Sequence, residues 1–77
     1  MSDIHSTALI HPKATIGKNC DIEGAIIDKN SSIGPETIIR PFPRGVDRNE
    51  DLFVIRDGIV VIPKGTRLPS GTRIAPD

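Results

Sequence analysis

Aliphatic residues recur at every sixth position along much of this chain, at Ile4, Ile10, Ile16 and Ile22, and after one five-residue step at Ile27 and Ile33. The same beat resumes at Ile62, Leu68 and Ile74. Four residues after most of these positions stands a small side chain, namely Ala8, Ala14, Cys20, Ser31, Thr37, Thr66 or Thr72, while the Ile22 hexad departs with Ile26. A period of six excludes an amphipathic helix, whose apolar face repeats every ~3.6 residues. Seven Gly and seven Pro would also interrupt any long helix. Six residues suit one flat side of a triangular coil, a short strand followed by a corner. Three such sides make a turn of about 18 residues, and turns stack by parallel strand pairing at ~4.8 Å. The aliphatic residue then points into the prism, and the small residue faces inward near a corner where a large one would not fit. The expected fold class is all-β, a parallel β-helix of about three coils in a single domain over residues 1–77.

Composition fits that reading. The aromatic residues are Phe42 and Phe53 alone, with no Trp or Tyr. A short chain usually needs large side chains or staples to build a sufficient core, so stacked layers of small aliphatic residues, partner subunits, or both must supply it here. One Cys rules out an intrachain disulfide framework and a four-Cys zinc site, which makes the cytoplasm the default location. Ten Lys+Arg balance ten Asp+Glu. That argues against a basic field for nucleic acid and against a polybasic membrane-surface module. No apolar run approaches the ~18 residues of a membrane span, and no signal-peptide pattern opens the chain.

The repeat stops near residues 40–53. Arg40 to Asp51 carries two Pro, one Gly and six charged side chains without a hexad beat. The spacing predicts one loop extruded from the coil, with Leu52 to Ile55 rejoining the sheet and a turn at Asp57-Gly58. Ile59-Val-Val-Ile62 reads as a buried strand leading into the last two hexads.

Two stretches resemble a specific family. Gly24-Ala-Ile-Ile-Asp-Lys-Asn-Ser-Ser-Ile-Gly34, then the charged insertion, then Leu52-Phe-Val-Ile-Arg-Asp-Gly-Ile-Val-Val-Ile-Pro-Lys-Gly-Thr-Arg-Leu-Pro-Ser-Gly-Thr72 is similar to the C-terminal end of ADP-glucose pyrophosphorylase (glucose-1-phosphate adenylyltransferase), most of all the plant and cyanobacterial type. The resemblance runs from about residue 16 to residue 74. It belongs to the hexapeptide-repeat class, and the left-handed form of the helix is expected from that class, since the period alone does not set the hand. The family implies a nucleotidyltransferase domain that makes ADP-glucose and pyrophosphate from ATP and glucose 1-phosphate, for glycogen or starch synthesis, followed by a β-helix serving allosteric regulation and tetramer assembly. Only the second part is present here. ATP and Mg are therefore implied for the absent catalytic domain and no cofactor for this chain. A homo-oligomer is expected, and the plastid would replace the cytoplasm for a plant protein. Phosphorylated metabolites are the implied activators.

Lys29 and Lys64 are the leading candidate site residues. Each lies two residues past the aliphatic position of its hexad and so projects outward near a corner. Should their sides stack on neighbouring coils, the two ammonium groups would repel unless an anion lay between them. In plant-type members, lysines at the places matching Ile-Asp-Lys29-Asn and Ile-Val-Val-Ile-Pro-Lys64 bind the activator 3-phosphoglycerate, which the resemblance implies for these two. Arg40, Arg44 and Arg56 are further candidate contributors to an anion site, against the plainer reading of solvated loop cations.

Other motifs carry less. Gly65-Thr-Arg-Leu-Pro69 echoes a nucleotidyltransferase phosphate loop, but Pro63-Lys64 stand where further glycines are needed, and Leu68 is on the inward beat. His5 and His11 follow the aliphatic positions of consecutive hexads. They should point outward on the order of 15–20 Å apart at ~3.3 Å per residue, too far for one chain to close a zinc site. Cys20 takes an inward position, where a thiol is inert. Asp47, Glu50 and Asp51 lie among Arg44 and Arg48 and suggest charge balance rather than paired-carboxylate chemistry. Two alternatives remain beside the regulatory domain: a stand-alone hexapeptide enzyme of the acyltransferase or carbonic anhydrase type, and a scaffold without a ligand.

Overall fold

A computed structural model describes residues 2–76, and among them the chain forms short strands and turns with no helix. The strands in chain order are β1 (Asp3–Ile4), β2 (Leu9–Ile10), β3 (Thr15–Ile16), β4 (Asp21–Ile22), β5 (Ala25–Ile27), β6 (Ser32–Ile33), β7 (Ile38–Ile39), β8 (Arg48–Asn49), β9 (Val54–Arg56), β10 (Ile59–Ile62), β11 (Arg67–Leu68) and β12 (Arg73–Ile74). They assemble into three sheets, ordered β1-β4-β7-β12, β2-β5-β10-β9-β8 and β3-β6-β11. Successive coils pair in parallel: Ile4 opposes Ile22, Ile22 opposes Ile39, and Ile39 opposes Ile74. Ile10, Ile27 and Ile62 form the second ladder, and Ile16, Ile33 and Leu68 the third. The result is the expected parallel β-helix of three coils, with β12 beginning a fourth.

The core is these ladders. Ile22, Ile27, Ile33, Ile39, Ile62, Leu68 and Ile74 are buried, together with Ile55 and Val60. The small residues stack at the corners in the same way. The register places Ala8 under Ala25 and Val60, Ala14 under Ser31 and Thr66, and Cys20 under Thr37 and Thr72. Buried hydroxyls need partners. Ser31 Oγ donates to the Pro63 carbonyl at 2.8 Å and Thr37 Oγ1 to the Gly34 carbonyl at 2.7 Å. The Cys20 thiol is buried and donates to the Gly34 carbonyl at 3.2 Å, as its inward position predicts.

Three details of the coil differ from the sequence expectation. The departure in the Ile22 hexad resolves at Gly24, whose φ of +62° tightens the corner by one residue. Ala25 therefore takes the small inward place, fully buried, and Ile26 faces out. Ile4 is 42 % exposed, and Ile10 and Ile16 are half-buried, because the first coil has a neighbour on one side only. The strand at 59–62 is not buried throughout: Val60 and Ile62 point in, while Ile59 and Val61 lie on the outer face, since each coil has one interior side.

The charged insertion is more than an extruded loop. β8 pairs antiparallel with β9, and β9 pairs antiparallel with β10, so the segment doubles back and adds two strands to the second sheet. The strand begins at Val54 rather than Leu52 and runs to Arg56, and the turn at Asp57-Gly58 is as expected. Its charges tie turns together. Asp57 Oδ1 accepts the Gly45 N–H at 2.6 Å, and Asp47 Oδ1 accepts the Asp57 N–H at 2.7 Å. Arg48 pairs with Glu50 at 3.2 Å and lies 6.0 Å from the Phe42 ring centre. Ile55, buried against Val60, covers the last coil at this sheet.

A lysine corner on the β-helix

The corner that follows β2, β5 and β10 gathers the candidate lysines. Because Ile27 opposes Ile62 in parallel register, the next residues oppose in turn, and Lys29 stands directly under Lys64. The Gly65 N–H donates to the Lys29 carbonyl at 3.1 Å, and the Asp28 N–H to the Ile62 carbonyl at 3.0 Å, which locks the two turns one rung apart. Both side chains are exposed. One rung is ~4.8 Å, so the two lysines are rooted on neighbouring rungs of a rigid backbone, the stacking that the hexad spacing anticipated. A left-handed residue follows each lysine, Asn30 at φ 60° and Gly65 at φ 74°. Asn tolerates that conformation and Gly adopts it freely, so both turns share one shape.

The structure adds a residue that sequence reasoning missed. Ile10 opposes Ile27 at a separation of seventeen residues, which brings Lys13 under Asn30. The Asn30 N–H donates to the Lys13 carbonyl at 3.2 Å. Lys13 is exposed, and its own N–H donates to His11 Nδ1 at 3.1 Å. Three lysines thus climb one corner over three coils. Among the described residues none of their ammonium groups makes an ion pair. The one carboxylate on the corner is Asp28, whose Oδ1 caps the Lys29 N–H at 2.7 Å. The signal that would have found Lys13 is the five-residue step, which shortens the second coil and shifts every register below it.

The arginines go elsewhere. Arg40 follows β7 at a different corner, and its Nη2 donates to Asp21 Oδ2 at 2.8 Å. Arg56 sits beside the opposite end of β10 from Lys64, where its guanidinium bonds the carbonyls of Arg48 and Ile55 and the Asn49 side chain. Arg44 is exposed in the turn of the insertion. Of the candidate site residues, then, the fold brings Lys29 and Lys64 together and leaves the arginines apart from them.

A second polar group occupies the first sheet. His5 Nε2 lies 3.1 Å from Asp21 Oδ1 and 3.9 Å from Glu23 Oε1. The Arg40 guanidinium bonded to Asp21 holds that carboxyl below its ordinary range; burial opposes this, and the His5 hydrogen bond adds a lesser lowering. The same pairing raises the Arg40 pKa. His11 is on the next sheet, so the two histidines face different partners. Among the described residues no group of three His, Cys, Asp or Glu is placed to hold a metal ion.

Comparison with known proteins agrees with the fold. Residues 2–73 match the GLGC left-handed parallel beta-helix domain family. A glucose-1-phosphate adenylyltransferase of Photobacterium profundum is 44 % identical over 63 residues, which is 82 % of this chain and 15 % of that protein. The chloroplastic/amyloplastic small subunit of glucose-1-phosphate adenylyltransferase from Triticum aestivum is 44 % identical over 61 residues, 77 % of this chain and 13 % of the relative. The chain thus spans about one seventh of the length of these relatives.

Proposed function

The chain belongs to the GLGC left-handed parallel beta-helix domain family, and from that premise we propose that it is the regulatory and assembly domain of a glucose-1-phosphate adenylyltransferase, without catalytic groups of its own. In this reading the lysine corner receives a phosphorylated activator of ADP-glucose synthesis. The observation that carries it is the stacking of Lys29 on Lys64. Like charges on neighbouring rungs repel, and the paired strands keep the two side chains rooted one rung apart. A phosphate placed between two ammonium groups turns that repulsion into two charge-assisted contacts. The backbone turns fix where the two side chains begin, so binding has only their rotamer freedom left to order.

The assembly role draws on the open end of the first coil. β1, β2 and β3 each have a partner strand on one side only, and Ile4 is 42 % exposed there. Unpaired strand edges and a half-covered apolar layer favour a second chain or another domain over water, and a homo-oligomer is the partner proposed.

Thermal unfolding with and without 3-phosphoglycerate tests the anion site. The expected result is a rise in Tm at millimolar ligand that disappears in Lys29→Ala and in Lys64→Ala. No rise in the unaltered chain refutes the site. A rise that survives both substitutions places the anion elsewhere.

A further inference from the structure

We infer that the charged insertion is a stop: it occupies the place where the first coil of a second copy would add to the last coil of this one, and so keeps the β-helix from lengthening head to tail. This rests on the assembly reading of the first coil and goes beyond it. The two ends of the helix differ. Among the described residues neither the first nor the last coil has a further coil beyond it. Ile4, Ile10 and Ile16 of the first coil are accordingly part-exposed, yet Ile62, Leu68 and Ile74 of the last are buried. Phe42, Val46 and Phe53, all from the insertion, pack against the core, and Ile55 is buried over Val60.

The strand order states where a further coil begins. β10, β11 and β12 follow one another around the three sides, so the next strand of a growing helix would lie on β10 and parallel to it. β9 fills that edge and runs antiparallel. Beyond it, β8 is two residues long and carries Arg48, whose carbonyl is taken by the Arg56 guanidinium. Short, charged and covered edges resist pairing. Without the insertion, a second copy would set its β1, β2 and β3 on β10, β11 and β12. Its Ile4, Ile10 and Ile16 would then continue the ladders that end at Ile62, Leu68 and Ile74. That contact is head to tail and repeats without closing, the geometry of a filament. The insertion is not needed to close its own coil. Arg40 stands over Glu23 and Val60 over Ala25, and in the coil beneath a single residue, Gly24, joins those two positions.

Replacing residues 41–59 by one glycine tests the stop, with sedimentation velocity over a concentration series reading assembly size. Assemblies of the shortened chain should keep lengthening with concentration, while those of the unaltered chain level off. Ile4→Lys in the shortened chain should abolish that growth, because it puts a charge on the arriving inward ladder. A small amount of unaltered chain should shorten the assemblies, since it can add by its first coil and offers no open last coil. Ile55→Pro keeps the length of the segment but removes an N–H and the apolar cover from β9, and should also lengthen. If the shortened chain grows no further than the unaltered chain, while the unaltered chain associates in an Ile4-dependent way, the stop is refuted and the assembly reading stands. If the unaltered chain is a monomer and the shortened chain does not grow, both fall. Growth that survives Ile4→Lys, or that ignores the added unaltered chain, is non-specific and overturns the stop. Circular dichroism reports whether each variant keeps its β-structure. If neither the shortened chain nor Ile55→Pro folds, the insertion is part of the core rather than a stop, and the inference falls.

Discussion

Truncating one inward isoleucine at two levels of the helix tests whether equivalent hexad positions differ in energy by their height in the stack. Ile33 is 2 % exposed and lies between Ile16 and Leu68 in the third ladder. Ile33→Ala removes three carbons. At ~0.8 kcal/mol each they account for about 2.4 kcal/mol of lost burial. Coils above and below are tied by backbone hydrogen bonds on either side, among them the Gly34 N–H to the Leu68 carbonyl at 2.9 Å. The vacated space therefore cannot close, and a cavity term brings the total to roughly 3–4 kcal/mol. A domain of this size has about 4–11 kcal/mol in all, so the variant should be close to unfolding at room temperature. Ile4 holds the same inward hexad position in the first coil, on another side of the triangle, but is 42 % exposed. Ile4→Ala forfeits about half the burial and leaves a dent open to water rather than a cavity, a cost of about 1 kcal/mol. Urea titration followed by circular dichroism at low micromolar protein reads both values. The slope with urea should be unchanged, since unfolding exposes nearly the same surface in each variant as in the unaltered chain. In Tm the contrast is roughly 12–32 °C for Ile33→Ala against about 4–8 °C for Ile4→Ala. Equal costs would refute the reasoning, because the first coil would then be as well covered as the second. A loss below about 1 kcal/mol for Ile33→Ala would show that the ladders are not the source of stability.

Three further outcomes follow from the corners. Gly34→Ala would place a Cβ 2.6 Å from the Ser70 nitrogen and 2.7 Å from the Leu68 carbonyl oxygen. Both are backbone atoms of the next coil, so a loss of about 2 kcal/mol or more is expected by chemical denaturation. Glu36 has a φ of 61° in the turn column shared with Asn19 and Gly71. Glu36→Gly should therefore stabilise the chain by about 0.5–1 kcal/mol, the left-handed strain relieved less the added freedom of the unfolded glycine, measured by the urea midpoint. For Asp21 the folded-state pKa lies below the ordinary 3.8. Its ion pair therefore contributes stability that is fully present above pH 3.8 and is lost as pH falls through the lower folded value. Tm measured between about pH 5 and pH 2 should fall less steeply in Asp21→Asn and in Arg40→Gln than in the unaltered chain.

Much of the architecture is legible in the order of the residues, because a β-helix is close to one-dimensional. Each hexad meets its equivalent one coil away, so the period that marks the inward residues also states which of them touch. Ile27 over Ile62 and Lys29 under Lys64 follow from counting alone. The burial of Cys20 follows from the rule that a corner admits only a small side chain. The similarity of residues 2–73 to a known β-helix family adds the left hand, which no periodicity carries.

Three features were decided by the tertiary structure. The beat places the five-residue step between Ile22 and Ile27 but not the residue that tightens the corner. Gly24 takes it up at the corner before β5, and this exchanges Ala25 for Ile26 at the interior and sets the seventeen-residue register that brings Lys13 to the lysine corner. The insertion has no beat to read, and its antiparallel return onto β10 arises because that strand offers an unpaired edge and Val60 a face for Ile55 to cover. Arg40 looked like one more loop cation. It is instead paired with Asp21, since two residues nineteen apart in sequence face each other only once the first sheet has stacked. Local sequence determines which side chains point inward, and the length of each coil decides which of the outward ones meet.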